Sequence, residues 1–169
     1  SIQSIYKSNE GAAEIMALYD RVLTKAPVPC EQTHVSTRHG DTFVLAAGTN
    51  AAPPILLLHG SASNAASWLG EMAPLSQRYR VFAADTPGEP GKSSRERFSW
   101  EGDAFVTWLN DVLDGLSLTT VVLGGMSLGA WATLRYAIDR PERVAAAIAV
   151  APSGIVPPRM TFVLRMVGY

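Results

Sequence analysis

The sequence predicts an α/β domain with a mainly parallel β-sheet, helices on both faces of that sheet and an antiparallel lead-in at its start. Continuous apolar runs at residues 55–58, 81–84 and 121–123 are separated by segments of helix length. This pattern is typical of strands that are buried on both faces. With 169 residues, 47% of them hydrophobic, the chain has the length and apolar content of one such domain.

The residues before the first buried run predict a helix followed by a hairpin. Apolar side chains recur at helical spacing between residues 9 and 24, and prolines follow directly. Residues 32–47 then alternate in β-favouring stretches on either side of Gly40, which indicates a hairpin turn. We therefore expect an N-terminal helix within residues 1–28, and a core that begins at residue 29.

Each buried run is followed by a segment with helical spacing. The predicted helices cover residues 67–77, 99–116 and 128–138. In the second of them, apolar side chains recur at three- and four-residue steps, which gives the helix a stripe to pack on the sheet. A fourth apolar run at residues 144–150 predicts the last strand, so we expect the core to end near residue 152.

Composition excludes several classes of partner. Fourteen lysines and arginines against fifteen acidic residues give a formal net charge of -1, without a basic cluster. Nucleic acid and anionic membrane surfaces are therefore not expected partners. The sequence contains no apolar run near the roughly 20 residues that span a bilayer, and the first ten residues lack an apolar signal region. The single Cys30 and the absence of glycosylation sequons favour a cytoplasmic location.

A serine between two glycines is the strongest chemical signal. Ser127 is the centre of a G-x-S-x-G motif, which lies between the third buried strand and the helix that follows. Such a corner forces the serine into a strained backbone, and the flanking glycines avoid clashes with the neighbouring strand and helix. The hydroxyl is then exposed at the carboxyl edge of the sheet, where open α/β sheets bind ligands. Ser127 is the candidate nucleophile.

A second signal follows the first buried strand, in the sequence His59-Gly60-Ser61. A turn at this position can direct the main-chain N–H of Ser61 toward Ser127. With the N–H of Leu128, at the start of the next helix, it would form an oxyanion hole with two donors. We expect the His59 side chain to form hydrogen bonds within its loop and to take no part in the chemistry.

Residues 84–93 nearly form a phosphate-binding loop, because they end in Gly-Lys-Ser. A Walker-type loop needs a glycine at the position of Thr86, and Pro87 and Pro90 lack the N–H donors that would bind phosphate. A plain loop that shapes the pocket is the better interpretation.

Together, these motifs resemble those of the α/β-hydrolase fold family. The three segments, each after a predicted strand and in the same order, are His59-Gly60, Asp85-Thr86-Pro87-Gly88 and Gly125-Met126-Ser127-Leu128-Gly129. The resemblance implies a serine hydrolase with a carboxylesterase-like character, in which Ser127 is the nucleophile and Ser61 and Leu128 are the oxyanion donors. It also implies a small-molecule ester or acyl substrate, neither metal nor organic cofactor, and a lid that begins within residues 153–169.

One part of the expected machinery is missing from this sequence. A serine hydroxyl needs a base, and in this fold the order along the chain is serine, acid, histidine. His34, His39 and His59 all precede Ser127, and the acids after it are Asp139 and Glu142, near the far end of a helix. We therefore expect these residues to be the N-terminal portion of a longer hydrolase, with an uncovered sheet edge in their present form.

Two alternatives remain open from the sequence. A ligand-binding protein that keeps the pocket but has lost the base, or an inactive fragment that lacks the catalytic histidine and acid, would show the same motifs. A different reaction on the same nucleophile, such as acyl transfer, C–C bond hydrolysis or perhydrolysis, would also use Ser127. The identity of the substrate and the oligomeric state are not encoded in these motifs.

Overall fold

The computed structural model describes residues 5–100 and 102–155, and six strands within these ranges form one sheet. The strands are Glu31–Thr37 (β1), Gly40–Ala47 (β2), Pro54–Leu58 (β3), Arg80–Ala84 (β4), Val121–Met126 (β5) and Val144–Val150 (β6). Their order across the sheet is β1-β2-β4-β3-β5-β6. β1 and β2 are antiparallel, as are β2 and β4, whereas β4, β3, β5 and β6 run parallel. The predicted fold class, including the antiparallel lead-in, is confirmed.

The helices cover both faces of this sheet. They are Asn9–Leu23 (α1), Leu69–Leu75 (α2), Ala104–Gly115 (α3) and Leu128–Asp139 (α4), with short 3-10 turns at Ala65–Trp68 and Pro141–Arg143. α1 begins where the Ser8 hydroxyl accepts a hydrogen bond from the N–H of Gly11, at 3.0 Å, which satisfies one of the free donors of its first turn. None of the helices in the described ranges is long and apolar enough to cross a membrane.

The continuous apolar runs are explained by two cores, one on each face. Because successive side chains of a strand point to opposite faces, Leu56 and Leu58 pack with α3 and α4, whereas Ile55 and Leu57 pack with α1 and α2. Trp108 of α3 is fully buried in the first core, and its indole N–H donates to the Thr42 hydroxyl at 2.8 Å.

The helix predicted for residues 99–116 begins later, at Ala104. Gly102 has a φ of +73°, a left-handed conformation that interrupts a right-handed helix. The residues before it contribute an aromatic contact instead of a helical turn, since Trp100 stacks on Phe105 with ring centroids 5.3 Å apart. The periodicity therefore located the helix but not its first turn.

β6 is an edge strand of the described sheet. It pairs with β5 alone, and Ile148 and Val150 are 52% and 48% exposed. Ile138 on the neighbouring α4 is 77% exposed. These side chains form the uncovered apolar edge that the sequence predicted. The predicted lid, residues 153–169, lies outside the described residues from residue 156 onward.

Candidate active site

Ser127 lies at the corner between β5 and α4, at the carboxyl edge of the sheet. Its φ of 54° and ψ of −113° are outside the regions that side-chain-bearing residues favour, at a cost of about 1–3 kcal/mol. Main-chain hydrogen bonds fix this conformation: the N–H of Ser127 donates to the Val150 carbonyl oxygen at 3.0 Å, and the N–H groups of Ala130 and Trp131 donate to the Ser127 carbonyl at 3.1 Å. The side chain of Ser127 remains half-buried.

The two glycines of the motif are required by close backbone packing. A Cβ at Gly129 would overlap the carbonyl oxygen of Leu58 and lie 2.6 Å from that of His59. At Gly125, a Cβ would overlap the Gly129 main chain and lie 2.7 Å from the N atom of Ala130. Because main-chain atoms block both positions, any larger residue would push α4 away from the sheet.

The loop after β3 lies directly against Ser127. A Cβ on Gly60 would be 3.3 Å from the Cβ of Ser127, so only a residue without a side chain allows this approach without displacement. The peptide after Gly60 is trans, since the described residues contain no cis bond. Ser61, the next residue, is exposed, and Leu128 is the first residue of α4, where N–H groups lack partners within the helix.

A buried carboxylate fixes the far side of this loop. Ala62 has a φ of 56°, and its N–H donates to Glu89 Oε2 at 2.6 Å. Glu89 is only 6% exposed and forms an ion pair with Arg97 at 3.2 Å. The loops after β3 and β4 are therefore joined beside Ser127.

His59 forms its hydrogen bonds within the loops, as predicted. The N–H of Thr86 donates to Nε2 at 3.0 Å, so Nε2 carries no proton and Nδ1 donates to the Gly60 carbonyl oxygen at 2.7 Å. The ring is 2% exposed, and this burial lowers the pKa of His59 below its usual value. A neutral imidazole therefore sets the orientation of the peptide between Gly60 and Ser61.

This buried imidazole predicts a pH-dependent stability. In the unfolded chain His59 titrates near 6.5, but in the folded state its pKa is lower. The contribution of the neutral ring to the unfolding free energy is complete above pH 6.5. It is lost as the pH falls toward the folded-state pKa, by up to about 1.4 kcal/mol per pH unit. Urea unfolding of the full-length protein between pH 7.5 and 5.5 should therefore show a smaller loss of unfolding free energy in His59→Asn than in the wild type.

The control for this measurement is His34→Asn, which removes an exposed imidazole from β1. Equal pH slopes for the wild type and His59→Asn would contradict the assignment of a neutral, buried ring.

Asp85 is the centre of a buried network after β4. Its carboxylate accepts hydrogen bonds from the Tyr19 hydroxyl at 2.9 Å and from the N–H groups of Ala65 and Lys92, both at 2.7 Å. Burial raises the pKa of Asp85, although the N–H donors oppose this shift. In the loop of residues 84–93, the Lys92 N–H therefore donates to the buried carboxylate of Asp85 and is not free to bind phosphate. This agrees with the interpretation of a plain loop.

Residues 53–166 match the protein-family model described as "alpha/beta hydrolase fold". This match covers more than half of the chain and includes the whole corner around Ser127. The chain belongs to the α/β-hydrolase fold family.

Similar α/β-hydrolase proteins include carboxylesterases of Bacillus subtilis (strain 168). The chain is 34% identical to the uncharacterized carboxylesterase nap over 89% of its own length and 50% of that protein. It is 34% identical to carboxylesterase YbfK over 85% of its length and 49% of that protein. The crystal structure of naproxen esterase (carboxylesterase NP) from Bacillus subtilis superposes with a TM-score of 0.89, at 33% identity, over 96% of this chain and 57% of that one. The carboxylesterase-like resemblance is confirmed, and the chain spans about half the length of these relatives.

None of the three histidines of this α/β-hydrolase chain is bonded to the Ser127 hydroxyl. His34 and His39 belong to the β1–β2 hairpin, at the opposite edge of the sheet from β5, and both nitrogens of His59 are used in loop contacts. Asp139 is the last residue of α4, roughly 18 Å along the helix from Ser127, and it forms an ion pair with Arg135 at 2.5 Å. Within the described residues, no imidazole contacts the Ser127 hydroxyl.

Two contacts at this site were not found by sequence reasoning. Glu89 binds the main chain beside Ser61, and the Ser153 hydroxyl lies 3.0 Å from the Ser127 hydroxyl. Glu89 lies in the loop of residues 84–93, but no motif assigns a role to its side chain, and Ser153 belongs to no motif. Both contacts join segments that are distant in the sequence. Only the position of Ser153, directly after a predicted strand, could have indicated that it lies at the carboxyl edge.

Proposed function

We propose that the full-length protein hydrolyses carboxylic esters or related acyl compounds through an acyl-enzyme on Ser127. The observation that carries this proposal is the strained Ser127 between the Gly60 loop and the start of α4. If the corner served packing alone, a glycine would adopt this conformation without strain. A serine that bears the strain and keeps its hydroxyl half-buried supports a role for that hydroxyl. The carboxylesterase relatives support the ester class of substrate.

The oxyanion hole in this proposal consists of the N–H groups of Ser61 and Leu128. His59 Nδ1 binds the Gly60 carbonyl oxygen, and in a trans peptide the following N–H points the opposite way. The Ser61 N–H is thereby given one fixed direction, while the Leu128 N–H belongs to the positive end of the α4 dipole. Two preorganised donors of this kind stabilise the tetrahedral intermediate of acyl transfer.

The general base is proposed to be a histidine, oriented by a carboxylate, from a segment of the full-length protein other than residues 1–169. This follows from the chemistry, since an unassisted serine hydroxyl is a poor nucleophile, and from the chain spanning half the length of its relatives. We further propose a small-molecule substrate and, from the lone Cys30, a cytoplasmic location.

The test is treatment of the full-length protein with a fluorophosphonate probe, followed by intact-mass measurement and peptide mapping. A single phosphonyl adduct on Ser127, together with turnover of p-nitrophenyl and naproxen esters, is the expected result. An unlabelled, correctly folded protein would favour the ligand-binding alternative.

A further inference from the structure

The turn after β6 is fastened to Ser127 by the main chain. The parallel register places Met126 beside Val150, and the N–H of Ser127 donates to the Val150 carbonyl oxygen at 3.0 Å. In return, the N–H of Ser153 donates to the Ser127 carbonyl oxygen at 3.2 Å. The backbone of Ser153 is therefore located by contacts that do not involve its side chain.

The turn is also shaped to keep Ser153 in this place. Ala151 and Gly154, on either side of it, have φ values of 46° and 78°, which reverse the chain sharply. A Cβ on Gly154 would lie 3.5 Å from Cδ1 of Trp131 on α4, so the turn packs against the helix that begins at the candidate nucleophile. Ser153 itself is exposed.

The Ser153 hydroxyl oxygen lies 3.0 Å from the hydroxyl oxygen of Ser127. We propose that Ser153 is a second catalytic hydroxyl, which donates a hydrogen bond to Ser127 Oγ while that oxygen carries negative charge in acyl transfer. This inference rests on the proposed function of Ser127.

The direction of the hydrogen bond follows from the valence of the two oxygens. Each hydroxyl has one hydrogen and two lone pairs. In the reactive state the Ser127 hydrogen points to the base, so Ser127 Oγ can only accept from Ser153. The bond then favours the form of Ser127 Oγ with the larger negative charge.

The two chemical steps both place charge on this oxygen. In acylation, Ser127 Oγ gives its proton to the base and forms a bond to the acyl carbon, and the ester alcohol leaves with that proton. In deacylation, water adds to the acyl carbon and gives a proton to the base; the C–Oγ bond breaks, its electron pair stays on Oγ, and the base returns the proton to it. Ser153 transfers no proton in either step, and its hydrogen bond lowers the energy of the charged oxygen.

The test compares Ser153→Ala and Ser153→Thr in the full-length protein. Ser153→Ala keeps the N–H that binds Ser127 but removes the hydroxyl, so the fluorophosphonate labelling rate and kcat for p-nitrophenyl acetate should fall about tenfold, with KM, the pH profile and the unfolding temperature unchanged. Ser153→Thr should restore most of the rate, because it restores the donor.

Ser36→Ala is the matched control, because Ser36 is also exposed and its hydroxyl donates to Asp41 at 2.8 Å, on the outer strand β1. Wild-type rates in Ser153→Ala would overturn the proposal, as would a loss that Ser153→Thr does not restore. If Ser127→Ala itself keeps full activity, the proposed function fails; if only Ser153→Ala does, the function stands and this inference fails.

Discussion

Ser127→Ala is expected to lower kcat/KM for p-nitrophenyl esters by about 10⁴-fold or more in the full-length protein, and to abolish fluorophosphonate labelling. The variant removes the atom on which the acyl group would be carried and leaves the two proposed oxyanion donors in place. Residual hydrolysis above the rate in buffer is compatible with those donors alone. Retained turnover at the wild-type rate would remove Ser127 from the mechanism.

The matched variant at this position is Ser127→Gly. It removes the same hydroxyl, so activity should be lost equally, but glycine accepts the φ of 54° without strain. The unfolding free energy of Ser127→Gly should therefore exceed that of Ser127→Ala by about 1 kcal/mol. Equal stabilities would contradict the interpretation that the corner is strained.

The second large effect is expected at Gly129, where alanine should destabilise the protein by about 2–3 kcal/mol. The added Cβ would overlap the Leu58 carbonyl oxygen and approach that of His59, and main-chain atoms of a central strand cannot rotate away as a flexible side chain can. Part of this cost is offset by the higher helix propensity of alanine. Urea denaturation of the full-length protein measures the difference.

Gly70→Ala is the control for Gly129→Ala, with the opposite expected sign. Gly70 is also a helical glycine, but a Cβ there would meet nothing within 4 Å, so alanine should stabilise the protein by about 0.5–1 kcal/mol. A loss of stability in both variants would show that the close approach of α4 to β3 is not the cause.

The sequence was sufficient to predict the sheet and the corner, because both depend on local patterns. The strands at residues 55–58 and 81–84 begin only one residue earlier in the structure, at Pro54 and Arg80, since burial on both faces leaves an unbroken apolar run. The G-x-S-x-G motif is similarly local, because its two glycines avoid clashes that a side chain would make with β3 and with α4.

The contacts around the corner could not be predicted in the same way. The approach of Ser153 to Ser127 depends on the β5–β6 register. The hydrogen bond that the Ala62 N–H donates to Glu89 depends on how two loops meet in space. Polar residues in loops have no periodicity to identify their partners. The late start of α3 was missed for a related reason, because Gly102 adopts a positive φ that the apolar spacing does not reveal.

The buried hydrogen bond between Tyr19 and Asp85 couples the stability of the N-terminal helix to that of the loop after β4. α1 also contributes Asp20 to an ion pair with Lys92 at 2.5 Å, so local opening of α1 releases two contacts to the loop beside the candidate nucleophile. A ligand that orders this loop must then disfavour the opening of α1, because coupling between two sites is reciprocal. Hydrogen exchange of the α1 amides would consequently slow when such a ligand binds, so that this helix would report binding from a distance.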